Sequence, residues 1–146
     1  MVKKIHILDS LIMLAAVLYF TTYMLPASLW YEASTELVKD GFHTSEIQMV
    51  TDRKIHRDFY GDWSATVWKV TEGRGPTVVC SGNGSQEFRA EAVLPPVVTL
   101  SWWTNGGCNP ETLERGQFFV ETCHTVKLPI VPYKRTCRRS NLFKLH

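Results

Sequence analysis

The chain has 146 residues, enough for one domain of about 110 residues once a membrane run near its front is set aside, and too few for two. Its 16 lysines and arginines against 14 acidic residues become 14 against 13 when Lys3, Lys4 and Asp9 are left out. That near-neutrality removes any net-charge basis for a nucleic-acid or acidic partner.

Between Asp9 and Glu32 lie 22 uncharged residues, Ser10 to Tyr31. A helix rising ~1.5 Å per residue carries them across roughly 33 Å, enough for a bilayer core. A cleaved secretory signal has a shorter apolar region, about 7 to 15 residues, with small residues one and three positions before the cut. Here a cut after Ala27 or Ala33 puts Leu25 or Tyr31 at the third position. The run is therefore expected to remain as a transmembrane helix over 10–31, with Trp30 and Tyr31 as an interfacial belt and Pro26 near its far end. Lys3 and Lys4 precede it, and Glu32, Glu36, Lys39 and Asp40 follow it. By the positive-inside rule, residues 1–9 lie in the cytoplasm and the rest outside. The span has no Gly-x-x-x-Gly seam; facing lipid is the ordinary reading of its small residues Ala15, Ala16, Thr21 and Thr22, and packing against a neighbouring helix the functional one.

Residues 32–50 read as a connector, either a stalk or an extension of the helix that Asp40-Gly41 would end. From 51 to 146 short strand-like runs recur between Gly, Pro or Asn. "WSATVWKVTE" (63–72) alternates and then changes phase at Trp68, which predicts a bulge or a strand buried on both faces. "PTVVCS", "QEFRAEAV" and "VVTLSWW" follow, separated by "GNGS" and Pro95-Pro96. "GQFFVETCHTV" (116–126) and "KRTCRRSNLF" (134–143) flank a "KLPIVPY" linker whose two prolines oppose continued pairing. The fold class expected is a transmembrane helix followed by an all-β domain, an immunoglobulin-like sandwich or a small barrel.

Cys80, Cys108, Cys123 and Cys137 all follow the span, an even number without metal-ligand spacing, which in an exported domain predicts two disulfides. Adjacent strand residues face opposite ways, so Cys123 and His124 do not easily share one ion. A hairpin centred on Ile130 would set Cys123 opposite Cys137, leaving Cys80 with Cys108. A Cys80 to Cys123 bridge is the immunoglobulin-type alternative. In "LERGQF", Phe118 stands where the tyrosine corner of immunoglobulin-like folds has its tyrosine, without the hydroxyl.

His56 has Asp52, Asp58 and Asp62 nearby in sequence, and Ser64 or Ser81 would be the nucleophiles of a catalytic reading. No Gly-x-Ser-x-Gly elbow, His-Glu-x-x-His pair or P-loop accompanies them. The expectation is a protein without catalytic residues, metal or cofactor. "SWWTNGGCNP" offers Trp102, Trp103 and Asn105 as a contact site: on a strand one tryptophan fills the core while the other faces out or into a second layer, where core packing or edge protection is the ordinary reading and a partner hot spot or sugar-stacking platform the functional one. The second candidate is the C-terminal strip from Lys127 to His146, with six basic residues, Arg135, Arg138 and Arg139 among them, and no acidic one. A solvated strand face is the ordinary reading of such a strip, and binding to phosphate or anionic lipid the functional one. Asn83 begins an N-glycosylation sequon, relevant only in a eukaryotic secretory pathway.

The order of landmarks is a Trp-x-x-x-x-Trp-x-Val strand, "VVCSGNG", a Trp-rich segment before the second cysteine, "LERGQFFVET" and a closing "SNLF". It resembles small N-terminally anchored β-domain proteins encoded on phage and prophage genomes of Gram-negative bacteria, over residues 50 to 146. The resemblance implies a bacterial or viral setting and a periplasmic domain, and no particular activity. The reading is a non-enzymatic, single-pass inner-membrane protein. Its periplasmic domain binds a protein partner in the envelope or in a virion or membrane complex, and no nucleic acid. The alternative is a structural or accessory subunit assembled through its helix.

Overall fold

The computed structural model describes residues 2–42, 46–129 and 131–146, and the side chains of these from Ile7 onward, Thr35 apart. An apolar helix α1 (Val2–Met24) leads into two antiparallel sheets. The first sheet has the order β1-β2-β5, with β1 at Tyr31–Val38, β2 at Gln48–Ile55 and β5 at Val97–Thr99. The second runs β4-β3-β6-β7, with β3 at Phe59–Thr71, β4 at Arg74–Phe88, β6 at Gly116–Leu128 and β7 at Val131–Arg139. β8 (Phe143–Leu145) pairs with β6 beyond β7. A four-residue helix α2 (Leu100–Trp103) follows β5 directly.

The segment Ile7–Met24 is long and apolar enough to cross a membrane, and none of it is buried against the rest of the chain. The helix stops at Met24, not at Tyr31 as the uncharged run predicts. Pro26, extended at φ −74° and ψ 152°, begins a 3-10 turn Ala27–Leu29, and the chain then enters β1. Trp30 and Tyr31 are buried in the domain, which corrects their assignment to an interfacial belt. Nor is 32–50 simply a connector, because most of its first half is β1. Tyr31, Ala33, Glu36 and Val38 turn inward, and a register shift between Ala33 and Thr35 changes the phase, which hides the strand from a strict period-two reading.

β3 buries Phe59, Gly61, Ala65 and Val67, and its pairing with β4 shifts register between Val67 and Trp68, where the sequence changes phase. Trp68 lies on the far face, stacked on Phe119. On β6 the inward set is Phe118, Val120, Thr122, His124 and Val126. The core forms two apolar clusters. One draws Val38, Met49 and Val98 from the first sheet against Val67, Val120 and Phe143 of the second. The other gathers Trp30, Tyr31 and Ile55 with Phe59, Phe88 and Val126. Each fully buried aliphatic or aromatic side chain stabilises by about 1.5–3 kcal/mol.

Three further expectations need correction. "GNGS" is no turn: β4 runs through it, with Gly82 opposite Ala65 and Gly84 opposite Trp63, and turns instead at Glu72-Gly73, where Gly73 has φ +73°. The run 86–93 is strand only to Phe88. Pairing resumes at Val131, so Pro132 lies inside β7, which is tolerated because β7 is an edge. Ile130, the expected hairpin centre, lies outside the described residues.

Cys123 faces Cys137 across β6 and β7, with Cα atoms 4.1 Å apart, and the two are bridged; Cys80 on β4 is bridged to Cys108 in the loop after α2. Neither bridge joins the two sheets, unlike the immunoglobulin-type alternative. By loop closure each bridge stabilises by about 3 kcal/mol. Replacing Cys123 and Cys137 together by alanine is therefore expected to lower the unfolding free energy by roughly 2–4 kcal/mol in denaturant titration, with a peptide map still showing Cys80 joined to Cys108.

Candidate binding site

The segment after β5 reads as a continuing strand but folds as helix. Thr99 caps it, its hydroxyl accepting from the Trp102 amide at 3.2 Å. Leu100 and Trp103, three apart, then share one buried face, and Trp102 is left on the other. The sequence expects one tryptophan in and one out, but on a strand; the helical spacing behind a capping threonine is the signal it carries. Trp103 is 5% exposed and Trp102 60%. Asn105 (φ 51°) and Gly106 (φ 76°) take the left-handed conformation to reverse the chain, a turn to which Asn and Gly are suited. Thr104 holds the turn from inside, its hydroxyl donating to the Leu100 carbonyl at 2.9 Å and accepting from the Cys108 amide at 3.1 Å.

This turn lies flat on the edge strand β4. A Cβ on Gly82 would stand 1.8 Å from the Thr104 carbonyl oxygen, and one on Gly107 would stand 2.2 Å from that of Ser81. A Cβ on Gly84 would meet the Trp63 indole at 2.9 Å. Glycine is thus required at 82 and 107 for close backbone approach, and the Cys80–Cys108 bridge fastens the same contact.

Between the turn and the sheets lies an open cavity of about 330 Å³ lined by Arg53, Trp63, Ser64, Gln86, Phe88, Ser101, Trp102, Trp103, Asn105, Gly106 and His124. Arg53 stacks on Trp103 with its guanidinium carbon 4.3 Å from the ring centre, and Nη2 donates to the Pro95 carbonyl at 3.1 Å. His124 stacks on Tyr31 at 4.0 Å between centroids and meets Phe88 and Trp103 edge-on. Three buried polar atoms of this region, Arg53 Nε, Trp103 Nε1 and the Tyr31 hydroxyl, have no hydrogen-bond partner.

Behind the cavity, Glu36 accepts a hydrogen bond from Thr122. Burial pushes the Glu36 carboxyl up to about 7, against the lowering pull of that bond and of Arg53 and Arg138. Burial, helped by the charge of Arg53, holds His124 down at about 3, so its imidazole is neutral. Burial also raises the Tyr31 hydroxyl and lowers Arg53.

The sequence-derived contact residues do not form one surface. Trp102, Trp103 and Asn105 meet at the cavity. Arg135, Arg138 and Arg139 lie on edge strand β7, where Arg139 pairs with Glu121 at 2.9 Å and covers the Phe119 ring. The catalytic candidates are dispersed. His56 meets Glu32 at 3.3 Å, Asp52 accepts from Ser34, Asp58 from the Ala90 amide, and Asp62 from Ser85 and Lys127. Sequence reading missed Arg53, Trp63, Gln86 and His124, which reach the cavity from four strands and share no local motif. Comparisons with protein-family models, with characterised proteins and with solved structures find no match to this chain.

Glu36 and His124 give opposite pH dependences. The ordinary Glu value is 4.5, so up to about 7 the folded chain keeps a proton that the unfolded chain has released. This contribution is complete below 4.5 and lost as pH rises to about 7. For His124, between 6.5 and about 3 the unfolded chain binds a proton that the folded one refuses, so stability is complete above 6.5 and lost on acidification. The two slopes cancel between 4.5 and 6.5. Glu36→Gln is expected to raise the unfolding free energy at about pH 8 by roughly 2–3 kcal/mol and to change little at about pH 4. Paired denaturant titrations check this, and a loss of stability at the higher pH would contradict it.

Proposed function

We propose that this protein is a membrane-anchored, non-enzymatic binding protein of a bacterial envelope, its gene carried by a phage or prophage. α1 crosses the inner membrane with its N-terminus in the cytoplasm. The two facing sheets form a sandwich in the periplasm that presents the Trp102 cavity to a partner in the envelope or in a virion or membrane complex. The observation that carries this reading is the placement of Trp102, 60% exposed at the rim of an aromatic cavity and held there by a disulfide and two obligatory glycines. Large exposed aromatic groups beside a pocket are the usual anchors of recognition.

The two oxidised cysteine pairs fit an oxidising compartment. Lys134 of β7 donates to the Tyr23 carbonyl at the end of α1 and lies over the Tyr23 ring, a cation at a helix C-terminus. That contact supports a domain held close to the bilayer, where confinement raises its effective concentration for a membrane-bound partner.

The second reading, assembly through the helix, rests on Ala15, Ala16, Thr21 and Thr22. Both threonine hydroxyls are engaged within the helix, Thr21 with the Val17 carbonyl at 2.7 Å and Thr22 with that of Tyr19 at 2.8 Å, which weakens them as links to a neighbour. A photo-crosslinking residue in place of Trp102, in the full chain in native membranes, is expected to yield a discrete adduct that the same residue at Tyr133 does not. Trp102→Ala is expected to reduce co-purification of that adduct's partner roughly tenfold, and Ala16→Leu to leave it unchanged. Loss with Ala16→Leu and indifference to Trp102→Ala would favour helix-mediated assembly.

A further inference from the structure

We infer that the cavity takes a saccharide bearing a carboxylate, its ring lying on Trp102 and its acid group turned to Arg53. This deepens the preceding reading and rests on it. The lining offers the exposed Trp102 ring and the half-buried Trp63 ring as apolar faces against which the C–H face of a sugar ring can lie, with Trp103 and Phe88 buried in the same wall. Gln86, Asn105 and Ser64 add uncharged donors and acceptors around the same space, while the Ser101 hydroxyl is given to Glu46 at 2.7 Å. A flat aromatic ligand would stack equally well but would leave those amides and the Ser64 hydroxyl facing ring edges, a desolvation cost that the hydroxyls of a sugar remove.

Charge narrows the class further. Arg53 is the one charged residue among the described lining residues, and Glu36, whose carboxyl it acts on, lies outside that lining. Its half-buried guanidinium stands in the wall with Nη2 donating to the Pro95 carbonyl at 3.1 Å, whereas its Nε–H and the Trp103 indole N–H are shut away from the cavity. A carboxylate in the cavity gains a charge-assisted bond to that guanidinium. The volume of about 330 Å³ lies at the low end of the roughly 300–1,000 Å³ typical of ligand pockets. One or two sugar units, or the end of a longer glycan, match that space.

The test titrates the full chain in lipid nanodiscs, since maltoside and glucoside detergents carry the chemistry being probed. Glucuronate, glucose and benzoate are added separately while tryptophan fluorescence is read, three of the five tryptophans lining the cavity. The expected result is saturable binding of glucuronate in the millimolar range or tighter, weaker binding of glucose and none of benzoate. Trp102→Ala, an exposed position, should weaken glucuronate roughly tenfold. Arg53→Gln should bring glucuronate down to glucose. Should that variant fail to fold, binding by the unaltered chain must still weaken with added salt for glucuronate and not for glucose. No saturable response to either sugar, equal binding of benzoate, or binding indifferent to Trp102→Ala overturns the inference. A Trp102 crosslink that persists without sugar binding refutes the saccharide and leaves the binding surface standing; absence of both removes the two together.

Discussion

The contact on which the site depends is the backbone approach of residues 100–108 to the edge of β4. Carbonyl oxygens of Thr104 and Ser81 lie where Cβ atoms of Gly82 and Gly107 would be, and the Cys80–Cys108 bridge closes over them. An edge strand normally exposes unpaired backbone groups. Here a capped helical turn covers part of that edge, and the covering brings Trp102, Trp103 and Asn105 beside Trp63 and Gln86. Side chains any larger at 82 or 107 would lift the turn and open the cavity, because at such close range the backbone must move.

The interior between the sheets is divided by chemistry. Two apolar clusters are separated by a polar group comprising Glu36, Arg53, Thr122 and His124, to which Tyr31 and Trp103 lend their rings. Burial drives Glu36 towards its neutral form and keeps His124 neutral, so Arg53 is left as the cation of the cavity wall. Its charge is partly met by the Trp103 ring and the Pro95 carbonyl, which hold the guanidinium in place without neutralising it.

The junction between helix and sheets is equally specific. Pro26 stops regular helix, the 3-10 turn redirects the chain, and Trp30 and Tyr31 enter the core at once. With Lys134 bonded to the last turn of α1, only a few residues separate the apolar helix from the packed domain.

Residue type and spacing alone carried much of this organisation. The uncharged run before Glu32 marked an apolar helix, alternation marked β3, and facing positions on adjacent strands placed Cys123 opposite Cys137, because each is a local regularity of period or symmetry. In "VVTLSWW" the β-branched Val97–Thr99 is strand as read and only Leu100–Trp103 departs from it, while in "GNGS" the glycines were taken for a turn; neither stretch has a local preference strong enough to decide its own state. Docking against a distant segment, with Leu100 buried and Gly82 under Thr104, decided what each became. The cavity was illegible for a similar reason. Arg53, Trp63, Gln86 and His124 converge only when β2 of one sheet faces β3, β4 and β6 of the other, and no spacing along the chain encodes that geometry.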